Sequence, residues 1–420
     1  MQNRNGQEEA LFRLAISQAL HEARQGGIGK SGAEAALVRL VDRLLERAVA
    51  YRASDLHIEP GEQGVRLRYR CDGLLREDTQ LLPAELAPLI SSRLKVMAGM
   101  DIAKRQLPQD GHIRYESGTR RIDIRVSSLP AADGEVLVLR LMNLEERPLA
   151  LEELGFSAEN LKLFRKVIRR PSGLLLLCGP MNSGKTTTLY AAMAELNAPE
   201  ISLVSLEDPI ERRLPGVSQV QVNEKTGLTY VAGLRAILRQ DAQKVLLGEI
   251  RDGQTAQMAV RIALTGHLVM TTLHTEDATA AVLRLLEMGV PPYLLAATLT
   301  GVVAQRLVRR VCPTCQQRHE VKAGSEEAAL LGQMWQPGLQ LRHGCGCEAC
   351  GETGYRGRMA LHELLQVTPA LREAILSRAD REALRRQAEA DGLRSLWQDG
   401  ADKVLAGETT LSEVRRVIYG

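Results

Sequence analysis

Residues 173–187 read Gly173-Leu174-Leu175-Leu176-Leu177-Cys178-Gly179-Pro180-Met181-Asn182-Ser183-Gly184-Lys185-Thr186-Thr187. The first six form an apolar run of strand length, the pattern of a strand buried on both faces. Gly179 to Thr186 then fits G-x-x-x-x-G-K-[ST], and TTTLYAAMAEL, from Thr186 onward, is rich in helix formers. Phosphate binding requires strand, loop and helix in that order. The loop's backbone N–H groups wrap the phosphates, and the helix N-terminus adds positive potential. Lys185 reaches the β- and γ-phosphates, and Thr186 offers a hydroxyl to Mg²⁺. The stretch therefore implies ATP and Mg²⁺. Asn182 is expected in a left-handed backbone conformation, which Asn tolerates better than almost any other residue with a side chain.

The alternation continues outward from this loop. ISLVSLED (201–208), KVLLGEI (244–250) and HLVMTTLH (267–274) are strand-like, and LTYVAGLRAILRQ (228–240) and GQTAQMAVRIAL (253–264) are helical. Buried strands separated by helices predict an α/β fold with a parallel sheet covered on both faces. Such sheets bind ligands at the carboxyl ends of their strands. Glu249 stands at one such end. Many phosphate-loop enzymes carry Asp then Glu there; here the first position is Gly248, so Glu249 is the local carboxylate for positioning or activating water. Glu207 and Asp208 end another strand, where they either add magnesium or water contacts or cap the turn before Pro209. His267 and His274 flank the strand 268–273 and read equally as site or packing residues. Arg251 and Asp252 read as a structural pair.

With 420 residues the chain is long enough for several domains, and 45% hydrophobic with 25% charged residues is an ordinary globular balance. A net charge of +3 and 3% aromatics argue against a nucleic-acid partner. The densest basic spots, Arg165-Lys166 with Arg169-Arg170 and Arg306 to Arg310, read as solvated helix faces. MQNRNGQEEALFRL lacks the form of a signal peptide. No apolar run reaches the ~18 residues of a membrane span, and the longest candidate, Tyr293 to Ala304, reads as a buried helix. A cytoplasmic location is expected.

Five parts follow in order. Residues 1–33 read as a tail or linker, a helix from Glu8 to Arg24 and then the break GGIGKSG. Residues 34–147 read as an α+β domain: AALVRLVDRLLERAV and ELAPLISSRLKVMAGM are helical, while VRLRYR and RIDIRV alternate as half-exposed strands. Residues 148–311 carry the phosphate loop, and 353–420, rich in Ala, Leu, Arg and Glu, read as a helical domain. Between them, in 312–352, Cys312-Pro-Thr-Cys315 and Cys347-Glu-Ala-Cys350 form two C-x-x-C pairs. Four thiolates in this spacing suit tetrahedral zinc with no open position, hence a structural metal. Cys345 is an extra thiol beside them.

The stretches GPMNSGKTTTLY, SLEDPIE, LLGEIRD and TGHLVMTTLHTEDA, in that order, resemble the phosphate loop, aspartate box, atypical Walker B segment and histidine box of the ATPases of type II secretion and type IV pilus assembly. ASDLHIEP (53–60), MDIAKRQLPQDGHI (100–113) and DIRVSSLP (123–130) upstream, and AQRLVRRVCPTC and TGYRGRMALHELL downstream, are similar to that superfamily's flanking motifs. The resemblance covers residues 34–420. It implies a RecA-like core, a PAS-like N-terminal domain and a homohexameric motor with ATP bound between the two domains. It also implies that Arg125 and Arg140 contact the nucleotide phosphates. A tetracysteine zinc module implies assembly rather than retraction, through a polytopic inner-membrane platform protein. The chain would then be cytoplasmic and peripheral at that membrane through its partners. The family's extra N-terminal docking domain is not expected in residues 1–33. Met181-Asn182 replaces the usual Thr-Gly, Ala242-Gln243 the usual Pro-Asp, and Glu276 the usual Asn. Two other readings stay open: a nucleotide-binding scaffold with little turnover, and a DNA-moving ATPase of related fold.

Overall fold

The computed structural model describes residues 2–24, 31–117, 120–143 and 147–419. They fall into two units, Met1–Glu146 and Arg147–Gly420. The first unit runs α1 (Gln2–Arg24), α2 (Ser31–Ala50), β1 (Asp55–Gly61), β2 (Gly64–Cys71), β3 (Leu74–Glu77), α3 (Ala87–Met97), β4 (Gln109–Ser117), β5 (Arg120–Ala131) and β6 (Gly134–Asn143). Its sheet is antiparallel in the order β3-β2-β1-β6-β5-β4. The alternation in VRLRYR buries Val65, Leu67 and Tyr69 on one face and leaves the arginines between them on the other. This is the α+β architecture expected for 34–147.

The expected N-terminal tail is corrected in its described part. Phe12, Ala15, Ile16 and Ala19 repeat at i, i+3, i+4 and i+7, so they share one helix face, and all four are buried in the core of this unit. Arg47 of α2 locks the contact. Its guanidinium lies 4.3 Å over the Phe12 ring and holds Glu9 and Asp78, each at 2.8 Å. Burying the Phe12 ring contributes about 2–3 kcal/mol, enough to make α1 part of the domain. Most of GGIGKSG lies outside the described residues.

The second unit begins with α4 (Ala158–Ile168), β7 (Gly173–Cys178), α5 (Lys185–Leu196), β8 (Leu203–Glu207), β9 (Ser218–Gln221), α6 (Tyr230–Ile237) and β10 (Lys244–Leu247). It continues with α7 (Gly253–Leu264), β11 (Leu268–Leu273), α8 (Ala278–Glu287), α9 (Pro292–Thr298) and β12 (Leu299–Val311). The cysteine segment adds β13 (Gln316–Glu320), α10 (Glu326–Leu331) and β14 (Gln340–Gly344). β15 (Tyr355–Gln366), α11 (Pro369–Leu376), α12 (Arg381–Ala390), α13 (Leu396–Leu405) and α14 (Leu411–Tyr419) follow. The main sheet has the order β15-β12-β7-β11-β10-β8-β9, parallel throughout except for β15. β7, β8, β10 and β11 are buried along their whole length, as their apolar runs predict. The carboxyl ends of all four open on one edge of the sheet.

Three expectations change here. Tyr293 to Ala304 is not one helix: α9 ends at Thr298 and β12 begins at Leu299. Thr300, Val302 and Val303 lose side-chain freedom in a helix and suit a buried strand instead. Arg306 to Arg310 therefore lie on a strand. The segment from 353 is not a separate helical domain either. β15 pairs with β12, and Leu371, Ile375, Val404 and Val414 share one core with Leu174 and Leu176. Among the described residues no helix is long and apolar enough to cross a membrane.

The last helix is pinned by a buried carboxylate. Glu413 accepts from Arg309 Nη2 at 2.6 Å and from Arg416 Nη2 at 2.8 Å. Against the opposing effect of burial, these two guanidinium groups hold its carboxyl down at about 2. A carboxyl depressed below its unfolded value stabilises the fold above that value, and the gain is lost as pH falls toward the folded one. Glu413→Gln is expected to cost the second unit about 3 kcal/mol at neutral pH. The gap between parent and variant in a denaturant titration should close as pH falls from about 4.5 toward 2. A gap independent of pH would mean that the loss is one of packing alone.

Candidate nucleotide site and metal centre

The phosphate loop joins β7 to α5 as its pattern predicts. Gly184, with φ 85°, caps α5, and Lys185 is its first residue. Asn182 is left-handed, with φ 61°, as expected for Asn in place of the usual Gly. Asn182→Gly should bind ATP as well as the parent does. Asn182→Val adds roughly 1–2 kcal/mol of strain and should weaken binding about 5–30-fold in an ATP titration. Equal affinity for the Val variant would mean that the loop relaxes without cost.

The loop has the features of an anion cradle. Lys185 is buried, and its Nζ donates to the carbonyls of Gly179 and Pro180 at 2.7 and 2.8 Å. Burial pushes its ammonium down to about 8, although the nearby Glu249 carboxylate works against that. The Ser183 hydroxyl is buried with no hydrogen-bond partner among the described residues. Thr186 is half-buried and Thr187 exposed, at the open N-terminus of α5. These donors suit the oxygens of a nucleotide's phosphates and a magnesium ion beside them.

Glu249 stands just past β10. Its Oε1 accepts from Arg251 Nε at 2.7 Å, and its Oε2 lies 3.2 Å from His274 Nε2, just past β11. Arg251 also reaches Asp208, past β8, at 3.5 Å. The expected pairing of Arg251 with Asp252 is not formed: Asp252 caps α7, accepting from Thr255 N at 2.8 Å. Gly248 fits its place tightly, since a Cβ there would lie 3.0 Å from the Tyr230 hydroxyl.

Two candidates stand apart from this group. Glu207 is buried, and its carboxylate accepts from Tyr190, Ser205 and Gln219; the structure gives it the work of fixing α5 to the sheet. His267 precedes β11, bonded to Ile262 and Thr265. It stands at the opposite sheet edge, roughly 20 Å along the strand from His274, so the fold does not bring it to the loop. The charge of Glu276 is offset: its carboxylate is 84% exposed and lies 3.7 Å from Arg381. Gln305 and Arg306, the latter expected on a solvated helix face, lie on β12 beside the loop.

In the first unit Arg125 and Arg140 are direct cross-strand partners in β5 and β6. Like charges opposite one another are unfavourable unless an anion offsets them. Asp55 offsets one of them, 3.1 Å from Arg140 Nε.

The four paired cysteines come together. Cys312 and Cys347 lie 3.9 Å apart through their sulfurs, Cys315 and Cys350 3.9 Å, and Cys347 and Cys350 3.7 Å. A tetrahedral zinc with bonds of about 2.3 Å sets its sulfurs about 3.8 Å apart. Backbone N–H groups of Cys347 and Gly354 donate to Cys350 Sγ at 3.2 Å each, which suits a thiolate. The donor set fits zinc. Cys345 is exposed and lies outside the four-sulfur cluster, against the Cys315 carbonyl at 3.1 Å.

A parallel sheet with a G-x-x-x-x-G-K-T loop between central strand and helix defines a phosphate-loop nucleotide-binding protein. Residues 30–416 match the model of the type II/IV secretion system protein family, and the chain belongs to that family. Type II secretion system protein E of Dickeya dadantii is 48% identical over 385 residues, 91% of this chain and 76% of that protein. Type II secretion system ATPase E of Vibrio cholerae is 46% identical over the same shares of the two chains. Among solved structures, the Legionella pneumophila ATPase DotB superposes with a TM-score of 0.65 at 22% identity, covering 90% of this chain and 95% of that one. That likeness shows a shared fold.

Proposed function

We propose that this chain hydrolyses ATP as the subunit of a homohexameric motor for type II secretion or type IV pilus or pseudopilus assembly. It acts at the cytoplasmic face of the inner membrane through a polytopic platform protein. The observation that carries this reading is the convergence of groups from separate strand ends. Lys185 follows β7, Asp208 follows β8, Glu249 follows β10 and His274 follows β11, all on one edge of the sheet. Relatives named type II secretion system protein E and, in one case, type II secretion system ATPase E, at nearly half identity, support the biological setting.

The loop Gly179–Thr187 binds the phosphates through its backbone and the amine of Lys185. Thr186 would hold Mg²⁺, which when bound neutralises the β- and γ-phosphate oxygens. Glu249 orients the attacking water and draws off its proton, while Arg251 and His274 hold the carboxylate in place. Asp208 holds Arg251 from the other side. Glu207 braces Tyr190 of α5, one step removed from the reaction. Arg125 and Arg140 offset charge on the transferred phosphoryl group. Zinc on Cys312, Cys315, Cys347 and Cys350 has a structural role.

Two measurements test the reading. Lys185→Ala should weaken ATP binding at least about a hundredfold, since a charge-assisted contact to phosphate is lost. The mass of the purified chain with ATP should correspond to six copies; a monomer at every concentration would contradict the ring.

A further inference from the structure

β12 lies beside β7 with Ala304 opposite Cys178. The next residue, Gln305, therefore stands where the phosphate loop leaves the sheet. It is 1% exposed. Its Nε2 donates to the Ser183 carbonyl at 2.8 Å, and its Oε1 accepts from the Thr188 hydroxyl at 2.8 Å. One amide thus ties the last residues of the loop to the first turn of α5.

Two loop glycines press on the same residue. A Cβ at Gly179 would lie 2.4 Å from the Gln305 carbonyl oxygen, and one at Gly184 would lie 2.9 Å from Nε2. The loop rests on Gln305 at both ends: the backbone contact excludes any side chain at Gly179, and a side chain at Gly184, with φ 85°, would have to displace the Gln305 amide. The hydrogen bond to Ser183 also sets a direction. In a planar trans peptide the C=O and the next N–H point opposite ways. Anchoring the Ser183 carbonyl on Gln305 turns the Gly184 N–H away from β12, leaving it free for a phosphate oxygen.

We propose that Gln305 is a positioning residue for nucleotide binding, a buried amide on β12 that orients the Ser183–Gly184 peptide and the start of α5. This inference rests on the reading of Gly179–Thr187 as the ATP site. It assigns Gln305 no contact with the nucleotide.

The test uses the full chain and ATP itself, with affinity by calorimetry, kinetics by phosphate release and stability by thermal unfolding. Gln305→Leu should raise the ATP Kd at least about tenfold, with KM rising more than kcat falls, as for a contact made equally in ground and transition states. It should also lower Tm, because the Ser183 carbonyl and Thr188 hydroxyl lose a buried partner. In Gln305→Leu/Thr188→Val the Thr188 hydroxyl and its second bond, to the Gly184 carbonyl at 3.3 Å, are also removed, and the Kd should stay raised. If the single or the double variant binds ATP as tightly as the parent, Gln305 serves stability only and the proposal is overturned. If Gln305→Leu does not fold, Gln305→Asn decides: its shorter amide cannot span both partners and should give the same rise in Kd, and parental affinity would overturn the proposal. A parent chain that binds no ATP would instead sink the reading of the loop.

Discussion

Glu249→Gln is expected to bind ATP within a few-fold of the parent and to release phosphate about 10²–10⁴ times more slowly. Gln keeps the length of the side chain and an oxygen for Arg251, so the strand end stays in place. What it loses is the ability to take a proton from water, and no other carboxylate stands in the same position. Glu207 is engaged by Tyr190, Ser205 and Gln219, and Asp208 meets Arg251 only at 3.5 Å. Phosphate release under single-turnover conditions, with ATP binding measured separately, separates the two effects. Full turnover by the variant would move water activation to Asp208 or to a group from another subunit.

The second large effect is expected at the cysteines. The purified chain should carry one zinc, and Cys315→Ser should lose it. Structural zinc contributes about 10–16 kcal/mol to folding in isolated zinc peptides. The share here is smaller, because Val321, Leu331 and Leu341 of the same segment are buried in the main core. Even so, about 5 kcal/mol or more of local stability should go with the metal. Metal analysis and proteolysis check this: the variant should be cleaved within 312–352 while the rest of the second unit persists. A chain purified without chelators that contains no zinc, yet resists protease there, would refute the site.

What could be read from sequence was what is local. The phosphate loop is contiguous, and the apolar runs of β7, β8, β10 and β11 are bounded by polar residues, so the strand ends were legible and Glu249 with them, while Asp208 read equally as a turn cap and His274 equally as a packing residue. Even the left-handed Asn182 was legible, from the chemistry of one residue. What escaped depended on pairing at a distance. Arg306, Arg309 and Arg310 are spaced i, i+3, i+4 and imitate a helix face; only the pairing of β12 with β7 and β15 makes them strand residues. Gln305 reaches the loop across more than a hundred residues of intervening chain, and the stretch AQRLVRRVCPTC that contains it does not say what it touches. Glu207 sits at a strand end like Asp208, and its inward turn is decided by Tyr190 and Gln219, which lie elsewhere in the chain. His267 was separable in principle, since parallel strands send their two ends to opposite edges. The spacing of Phe12, Ala15, Ile16 and Ala19 likewise signalled a buried face on α1.

Phosphate release by the purified chain given ATP and Mg²⁺ decides between a motor and a scaffold. Steady turnover is expected, disappearing when Mg²⁺ is withheld and falling at least about a hundredfold in Glu249→Gln. No turnover from an assembly that binds ATP normally would contradict it and leave a nucleotide-binding scaffold in place of a motor.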